Sequence, residues 1–164
     1  MDEMDSYMYQ TVGHEAVQLV ADAMELPLIR RDIVGGSVAV GMEYATTAGD
    51  EVEDLHLLLQ DVQAAYPDVQ GVSVGAILSN YQRIRVEHVC SRLGLTSLGY
   101  LWQRNQRELL AEMIACETVA VAVKVAAVGL EPHKHLGKTL AALQPTLLKL
   151  EKQFEVHVCG EGGE

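Results

Sequence analysis

The chain has 164 residues, of which 49% are apolar and 21% are charged, and this composition is typical of a folded globular protein. Its net charge of −11 argues against nonspecific binding to nucleic acid or to an anionic membrane, because both need a basic surface. The longest apolar stretch, residues 119–128, contains Lys124 and is too short to span a bilayer.

The first half of the chain predicts two helices, one strand and one long loop. Apolar residues at helical spacing predict a helix over 8–24, and the apolar run that follows predicts a strand over 26–34. Residues 34–49 contain four glycines and predict a long surface loop, which is often functional. The next helical stripe covers 52–62, with Asp50 as its N-cap and acidic residues in its first turn.

The second half alternates between strands and helices. The nearly all-apolar run at 71–78 predicts a strand buried on both faces, and a helix from Ser79 or Asn80 ends before Gly94. Further strands are predicted at 96–102, 118–130 and 155–159, and further helices at 105–115 and 138–153. This alternation predicts an α/β fold with a parallel sheet, in which ligands bind at the carboxyl ends of the strands.

An arginine-rich region stands out in this acidic chain. Residues 1–60 hold 12 acids and two bases, whereas residues 81–107 hold five arginines against one acid, Glu87. Because guanidinium pairs with phosphate or carboxylate, the region predicts an anion site; the alternative is a solvated helix surface. The five are Arg83, Arg85, Arg92, Arg104 and Arg107.

The segment SNYQRIRVE, residues 79–87, lies after a predicted strand and opens a predicted helix. The first amides of a helix bind anions, Tyr81 offers a ring for stacking on a base, and Gln82 offers hydrogen bonds. Arg83 and Glu87 are i, i+4 neighbours, so a capped surface helix with one salt bridge is the alternative.

Two acidic segments are further candidates. In GEGGE, residues 160–164, the glycines allow close backbone approach, and Glu161 and Glu164 suit Mg²⁺, ammonia or a proton; the alternative is a polar chain end. In GDEVEDL, residues 49–55, Glu51 and its neighbours suit either Mg²⁺ or helix capping.

The cysteines and histidines predict neither a disulfide framework nor a metal site. Cys90, Cys116 and Cys159 are odd in number and form no CxxC, which favours a reducing compartment and a cytoplasmic protein. His133 and His135 have no third ligand at a recognised spacing.

Ordered segments across essentially the whole chain resemble the diphthine–ammonia ligase family, in the N-type ATP pyrophosphatase group of adenine-nucleotide alpha-hydrolase-like proteins. They are DEMDSYMYQTVGHEAV, GDEVEDL, GVSVGAILSNYQRIRVEHVCSRL, YLWQRNQ, KVAAVGL, KHLGKTL and VHVCGEGGE. The resemblance implies a Rossmann-like parallel sheet in a nucleotide domain, residues 1–105, followed by part of a smaller α/β domain, residues 106–164.

The resemblance also implies an activity. ATP adenylates the carboxylate of diphthine, a modified histidine on translation elongation factor 2, with release of pyrophosphate. Ammonium then displaces AMP to give the amide of diphthamide. ATP, Mg²⁺, ammonium and the diphthine form of elongation factor 2 are therefore the expected cofactors and partners.

Site residues follow from the family's motifs. Tyr81 and Gln82 match the "YQ" motif and are expected to place the reacting carboxylate. Glu161 and Glu164 match the "EGGE" motif and are expected to position ammonium and remove its proton, since only neutral ammonia attacks.

The neighbours of the "YQ" motif are the expected binding residues for nucleotide and substrate. Arg83 and Arg85 would neutralise the phosphate or the acyl-adenylate as charge develops. Glu87 and Glu51 complete this expected set.

The chain also departs from the family, which begins with a strand and an SGGKDS-type phosphate loop and continues after "EGGE" with a "YET"-type segment. We therefore expect an internal fragment, a short isoform or a truncated gene model whose sheet lacks its first strand. Three possibilities stay open: a ligase by descent, a nucleotide- or partner-binding module without catalysis, and a nonfunctional truncation.

Overall fold

The computed structural model describes residues 6–10, 12–117 and 119–160. A 3₁₀ turn at His14–Ala16 precedes the elements α1 (Val17–Ala23), α2 (Glu51–Ala65), β1 (Gly71–Ser73), α3 (Asn80–Leu93), β2 (Thr96–Leu98), α4 (Gln106–Ala115), α5 (Pro132–His135) and α6 (Leu140–Phe154). In these ranges, every helix is too short or too polar to cross a membrane.

The two strands form a parallel pair joined by a helix. β1 pairs with β2 in the register Gly71 opposite Thr96 and Ser73 opposite Leu98, and α3 makes the connection between them. A helical crossover is the usual link between parallel strands. The α/β class is thus confirmed, while the larger Rossmann-like sheet stays a prediction.

The chain divides into two compact units, and the first comprises the residues up to Ala76 together with Asn80–Tyr100. Its core lies between α2 and α3, and burying each large aliphatic side chain there contributes about 1.5–3 kcal/mol. The buried members of this core are Met8, Tyr44, Val52, Leu59, Tyr81, Val86, Val89, Cys90 and Leu95.

The ends of α2 and α3 follow the sequence signals. Asp50 Oδ1 accepts the amide of Val52 at 3.0 Å, so the predicted N-cap is confirmed. Gly94 follows α3 with a φ of +68°, a conformation that glycine adopts without strain, so the predicted stop is confirmed as well.

The second unit comprises Ile77–Ser79 and the residues from Leu101 onward. α4 and α6 pack through a core of Leu110, Leu143, Leu147 and Val158. Asn105 caps α4 and Thr139 caps α6 with their side-chain oxygens. These units follow from packing contacts, and the division into a nucleotide domain and a substrate domain at residue 105 stays a prediction.

Several predicted elements are shorter than expected or wrong. The predicted helix over 8–24 is reduced to the 3₁₀ turn and α1, and the predicted strand over 71–78 to β1. Within the described residues, the predicted strands at 26–34 and 155–159 are wrong, and the one at 118–130 contributes a single antiparallel bridge, Val121 to Thr139. Apolar, β-branched runs fit a pleated sheet, but a strand also needs a neighbour to pair with.

Candidate functional site

Two carboxylates at the start of α2 hold the glycine-rich loop that precedes it. Asp50 accepts two loop amides with Oδ2 while Oδ1 caps the helix, and Asp54 accepts two more with its own Oδ2. The donors are Val34 (2.9 Å) and Gly35 (2.8 Å) to Asp54, and Val38 (3.1 Å) and Ala39 (2.8 Å) to Asp50. The predicted loop over 34–49 is therefore fastened to α2 along its first residues.

The loop backbone also lies directly against the start of α2. Gly36 donates its amide to Gly49 O at 3.0 Å and accepts the amide of Glu51 at 2.9 Å. A Cβ built on Gly35 would lie 2.6 Å from the carbonyl carbon of Asp50, so a side chain does not fit there. The close approach explains why glycine occupies position 35.

Glu51 is fully buried and joins three segments. Its Oε2 accepts the Ser6 hydroxyl at 2.6 Å, and its Oε1 accepts the Ser37 hydroxyl at 2.8 Å. Ser6 Oγ in turn accepts the amides of Met8 (3.0 Å) and Tyr9 (2.9 Å). A buried carboxylate needs such donors, because an unsatisfied charge is costly to desolvate.

The N-terminal segment also rests on the start of α3. Gln82 Nε2 donates to the carbonyls of Tyr7 (3.3 Å) and Met8 (3.4 Å), and the rings of Tyr7 and Tyr81 lie 5.7 Å apart between centroids. Burial raises the pKa of the Tyr81 hydroxyl, so the phenol stays protonated at neutral pH. Both residues of the predicted "YQ" motif thus contact the segment around Tyr7.

Arg85 is fully buried and faces backbone carbonyls. Its Nη1 donates to Tyr81 O at 3.1 Å, and its Nη2 donates to Gly41 O at 2.9 Å and to Ala39 O. Its Cζ lies 3.2 Å from the centroid of the Tyr81 ring and 5.2 Å from that of Tyr44. These contacts join α3 to the loop and make Arg85 a positioning residue in this structure.

Arg83 and Glu87 lie on the exposed part of α3. Arg83 Nη1 is 2.7 Å from Glu87 Oε2, and its guanidinium also donates to Asn80 Oδ1. Their side chains are 33% and 46% exposed, and a surface pair of this kind stabilises a helix by about 0.3–0.5 kcal/mol. The salt bridge of the alternative interpretation, a surface helix with one ion pair, is therefore present.

The remaining arginines of the arginine-rich region also have carboxylate partners. The pairs are Arg92 with Glu53 (2.9 Å), Arg104 with Glu112 (2.5 Å) and Arg107 with Glu151 (2.8 Å). In the described part of the chain, each of the five arginines thus faces a protein acceptor. The region does not form an open anion-binding surface in this structure.

A second polar cluster lies between α2 and α3, and sequence reasoning missed it. The Tyr44 hydroxyl donates to Glu53 Oε1 at 2.9 Å. The guanidinium of Arg92 donates to both carboxylate oxygens of Glu53, each at 2.9 Å. The hydrogen bonds from Arg92 lower the pKa of Glu53, and burial lowers the pKa of His56. The ring of His88 lies edge-on to Tyr44 at 5.1 Å. The sequence signal for this cluster was helical spacing alone: Glu53 and His56 lie three positions apart, and His88 and Arg92 lie four positions apart.

The carboxylates at the start of α2 do not fit a bound Mg²⁺. Oxygens of Asp50, Glu51 and Asp54 already accept amides or hydroxyls, and among the described residues no three His, Cys, Asp or Glu side chains gather as metal ligands. For residues 49–55, the structure therefore favours the capping alternative over magnesium binding.

The candidate residues are brought together in part. Glu51, Tyr81, Gln82 and Arg85 all contact either the N-terminal segment or the loop, within the first unit. Arg83 and Glu87 lie on the same helix, α3. The predicted Glu161 and Glu164 fall outside the described residues. Sequence reasoning missed Ser6 and Ser37, which hold Glu51.

Comparison of the sequence with those of known proteins identifies its relatives. The chain is 61% identical to the diphthine–ammonia ligase of Rattus norvegicus and 60% identical to that of Homo sapiens, each over 163 residues. It is 52% identical over the same length to the diphthine–ammonia ligase of Schizosaccharomyces pombe. Each match covers 99% of this chain.

The matches cover a smaller share of the relatives than of this chain. The chain spans 61% of the rat and human proteins and 27% of the fission yeast protein. Residues 1–97, more than half of the chain, match the family described as the diphthamide synthase N-terminal domain. The expected resemblance is confirmed, and the chain belongs to the diphthamide synthase family.

Proposed function

We propose that this chain serves the ATP-dependent amidation of diphthine on elongation factor 2, with ammonium as the nitrogen source. The single observation that carries the proposal is the 61% identity to a diphthine–ammonia ligase along 99% of the chain. The contacts that gather Glu51, Tyr81 and Gln82 around one segment support a shared site.

The proposed reaction has two steps. An oxygen of the diphthine carboxylate attacks the α-phosphorus of ATP, the bond from that phosphorus to the bridging oxygen breaks, and pyrophosphate leaves. Ammonia then attacks the acyl carbon, and the bond between that carbon and the oxygen of AMP breaks. Because ammonium is protonated at neutral pH, a base must take its proton before the attack.

Each candidate residue has a proposed part in these steps. Gln82 and Tyr81 place the diphthine carboxylate, and Glu161 or Glu164 binds ammonium and takes its proton. Arg83 exchanges Glu87 for a phosphate or for the acyl-adenylate, which its exposed position favours. These groups would touch the substrates and so belong to the catalytic and binding set.

Two further residues act indirectly, by positioning other groups. Arg85 and Glu51 are fully buried and bonded to protein groups, so we assign them to positioning. Arg85 fixes the loop against α3, and Glu51 fixes the N-terminal segment. This changes the sequence-based expectation, which gave both residues direct contacts with nucleotide or substrate.

The remaining partners follow from the reaction. Mg²⁺ would enter with the phosphates of ATP, since the described carboxylates do not fit it. We propose a cytoplasmic location, which the three thiols Cys90, Cys116 and Cys159 support.

A second candidate function is a nucleotide- or partner-binding piece without catalysis, or an inactive shortened form. One observation favours it: within the described residues, the arginines of the arginine-rich region all have protein acceptors. This candidate needs no acyl transfer, so a chemical assay separates it from the ligase.

The test is release of AMP together with formation of the amide. The 164-residue chain is mixed with ATP, Mg²⁺, ammonium and diphthine-bearing elongation factor 2, beside a version joined to the parts of the rat relative outside the aligned region. AMP formed in step with diphthamide by either version supports the ligase. Binding of ATP without AMP in both versions would overturn it and favour the second candidate.

A further inference from the structure

Gln106 connects the start of α4 to the chain that follows α6, within the second unit. It ends the segment YLWQRNQ and is the first residue of α4. Its side-chain Oε1 accepts the amide of Val158 at 2.7 Å, and its backbone oxygen accepts the Cys159 thiol at 3.3 Å. One residue thus holds two successive residues that lie 52 and 53 positions further along the chain.

Residues 157–160 form a turn at this contact. The amide of Gly160 donates to His157 O at 3.0 Å, and the amide of Cys159 donates to His157 Nδ1 at 3.3 Å. Gly160 has a φ of +80°, which glycine adopts without strain. The side chain of Val158 is buried in the core between α4 and α6. The turn is therefore fixed both by its backbone and by one side chain.

The Gln106 side chain serves this turn and is not needed to cap α4. Asn105 caps the helix by itself, since its Oδ1 accepts the amides of Arg107 and Glu108. Val158 lies in a turn and has no strand partner for its amide among the described residues. Because a buried amide without an acceptor is costly, the position of the turn depends on the oxygen that Gln106 supplies.

Glu161 follows Gly160 directly in the chain and is one of the two residues proposed to take the proton of ammonium. Glu161 itself lies outside the described residues, and the turn is the described chain that leads to it. We propose that Gln106 is a positioning residue for the ammonia step, because it fixes the turn from which the carboxylate of Glu161 extends. This inference rests on the proposed function. A displacement of about 1 Å at a reacting group costs up to about 100-fold in rate.

Gln106→Met and Gln106→Glu form the test pair, made in the version joined to the rat segments outside the aligned region. Methionine keeps the length of the side chain and removes the acceptor, whereas glutamate keeps an oxygen acceptor. Gln106→Met should lower kcat/KM for ammonium in diphthamide formation by about 10- to 100-fold, and Gln106→Glu should stay within about threefold of the unsubstituted protein. KM for ATP should change by less than about twofold in both variants.

The pH profile separates positioning from a general loss of structure. Free ammonia needs no base, and its share rises with pH, so the deficit of Gln106→Met should shrink between about pH 7 and about pH 9. Asn105→Ala is the matched control, since it removes the cap of α4 and keeps the acceptor at Gln106. It should lower the unfolding temperature and leave the ammonium dependence and the pH profile unchanged.

Hydrogen exchange at the amide of Val158 checks the contact without relying on activity. Exchange should be faster in Gln106→Met than in Gln106→Glu by about tenfold or more, because the hydrogen bond protects the amide. Equal exchange in the two variants would overturn the proposal. An equal loss of kcat/KM in both variants, or a deficit that does not change with pH, would overturn it as well.

Failure of this inference differs from failure of the proposed function. If the unsubstituted protein binds ATP and releases no AMP, the proposed function fails, and the inference fails with it. If the unsubstituted protein forms AMP and diphthamide and Gln106→Met does so equally well, the inference alone is overturned.

Discussion

The guanidinium of Arg85 lies over the ring of Tyr81, with Cζ 3.2 Å from the ring centroid, while Nη2 reaches Gly41 O at 2.9 Å. One buried side chain thus contacts both the "YQ" motif and the glycine-rich loop. A desolvated cation over an aromatic face contributes about 2 kcal/mol, and the carbonyls supply the acceptors that a buried charge needs. The position of the loop therefore depends on Arg85.

The first prediction concerns Arg85→Lys. Lysine keeps the charge but lacks the planar fork that reaches three carbonyls, so the free energy of unfolding should fall by about 2–4 kcal/mol. Urea unfolding followed by circular dichroism measures the change. Arg83→Lys is the control, and its surface ion pair should cost less than about 0.5 kcal/mol. Equal effects of the two variants on the free energy of unfolding would contradict the positioning role assigned to Arg85.

The second prediction compares adjacent glycines. A Cβ at Gly35 would meet backbone atoms of Asp50 and Glu51 at 2.6–2.8 Å, whereas a Cβ at Gly36 would have no heavy atom within 4 Å. Gly35→Ala should therefore lower the free energy of unfolding by about 1–3 kcal/mol, as overpacking does. Gly36→Ala, the matched control, should change it by less than about 0.5 kcal/mol. If the two variants unfold alike in urea, the loop does not lie against α2 as described.

The sequence predicted local features well and long-range ones poorly. The N-cap at Asp50 was predictable because capping depends on neighbours along the chain. The burial of Arg85 was not, since its acceptors Ala39 and Gly41 lie 46 and 44 residues away. The i, i+4 spacing of Arg83 and Glu87 predicted their pair correctly, while the same residue type at 85 has a different role.

The third prediction concerns acid sensitivity at Glu53. Hydrogen bonds from Arg92 hold the pKa of Glu53 below its usual 4.5, so its contribution to stability is complete above that pH and is lost as the pH falls through the lowered value. Glu53→Gln should therefore flatten the fall in stability below about pH 4.5. Urea unfolding between pH 3 and 7 measures it, and Arg92→Met should produce the same flattening. An acid profile in Glu53→Gln that parallels the unmodified chain would contradict the pairing.

The fourth prediction concerns His56. Burial, and then the charge of Arg92, lower the pKa of His56 below 6.5, with the ring of His88 adding to this and Glu53 opposing it. The folded state therefore binds a proton less readily than the unfolded state, and stability should fall as the pH drops below 6.5 toward the lowered value.

His56→Gln should remove that part of the pH dependence, as measured by urea unfolding between pH 5 and 8. His133→Gln, on an exposed helix end, controls for the loss of a histidine. If the slope of the free energy of unfolding between pH 5 and 7 persists in His56→Gln and disappears in His133→Gln, the pH dependence comes from His133 and the prediction is wrong.

Strands were the weakest part of the sequence reasoning, and pairing explains why. Residues 26–34 have the apolar run of a strand, yet within the described residues their backbone has no neighbouring strand. A strand needs such a neighbour, whereas α2 and α3 satisfy their own backbone groups and were predicted to within a residue or a few.

The last prediction concerns Gln82 in the version of the chain joined to the remaining rat segments. Gln82→Ala removes the donor to Tyr7 O and Met8 O and, by our proposal, a contact to the diphthine carboxylate. Misplacement of a reacting group costs up to about 100-fold in rate, so kcat/KM for AMP release should fall by about 10- to 100-fold.

Gln63→Ala is the matched control, because Gln63 also donates to a backbone carbonyl, that of Leu93, at 3.1 Å, and lies outside the proposed site. Glu161→Ala should lower turnover as well, by removing a proton acceptor. Unchanged turnover in the Gln82 and Glu161 variants would remove both residues from the site, and equal losses in the Gln63 and Gln82 variants would reduce Gln82 to a structural role.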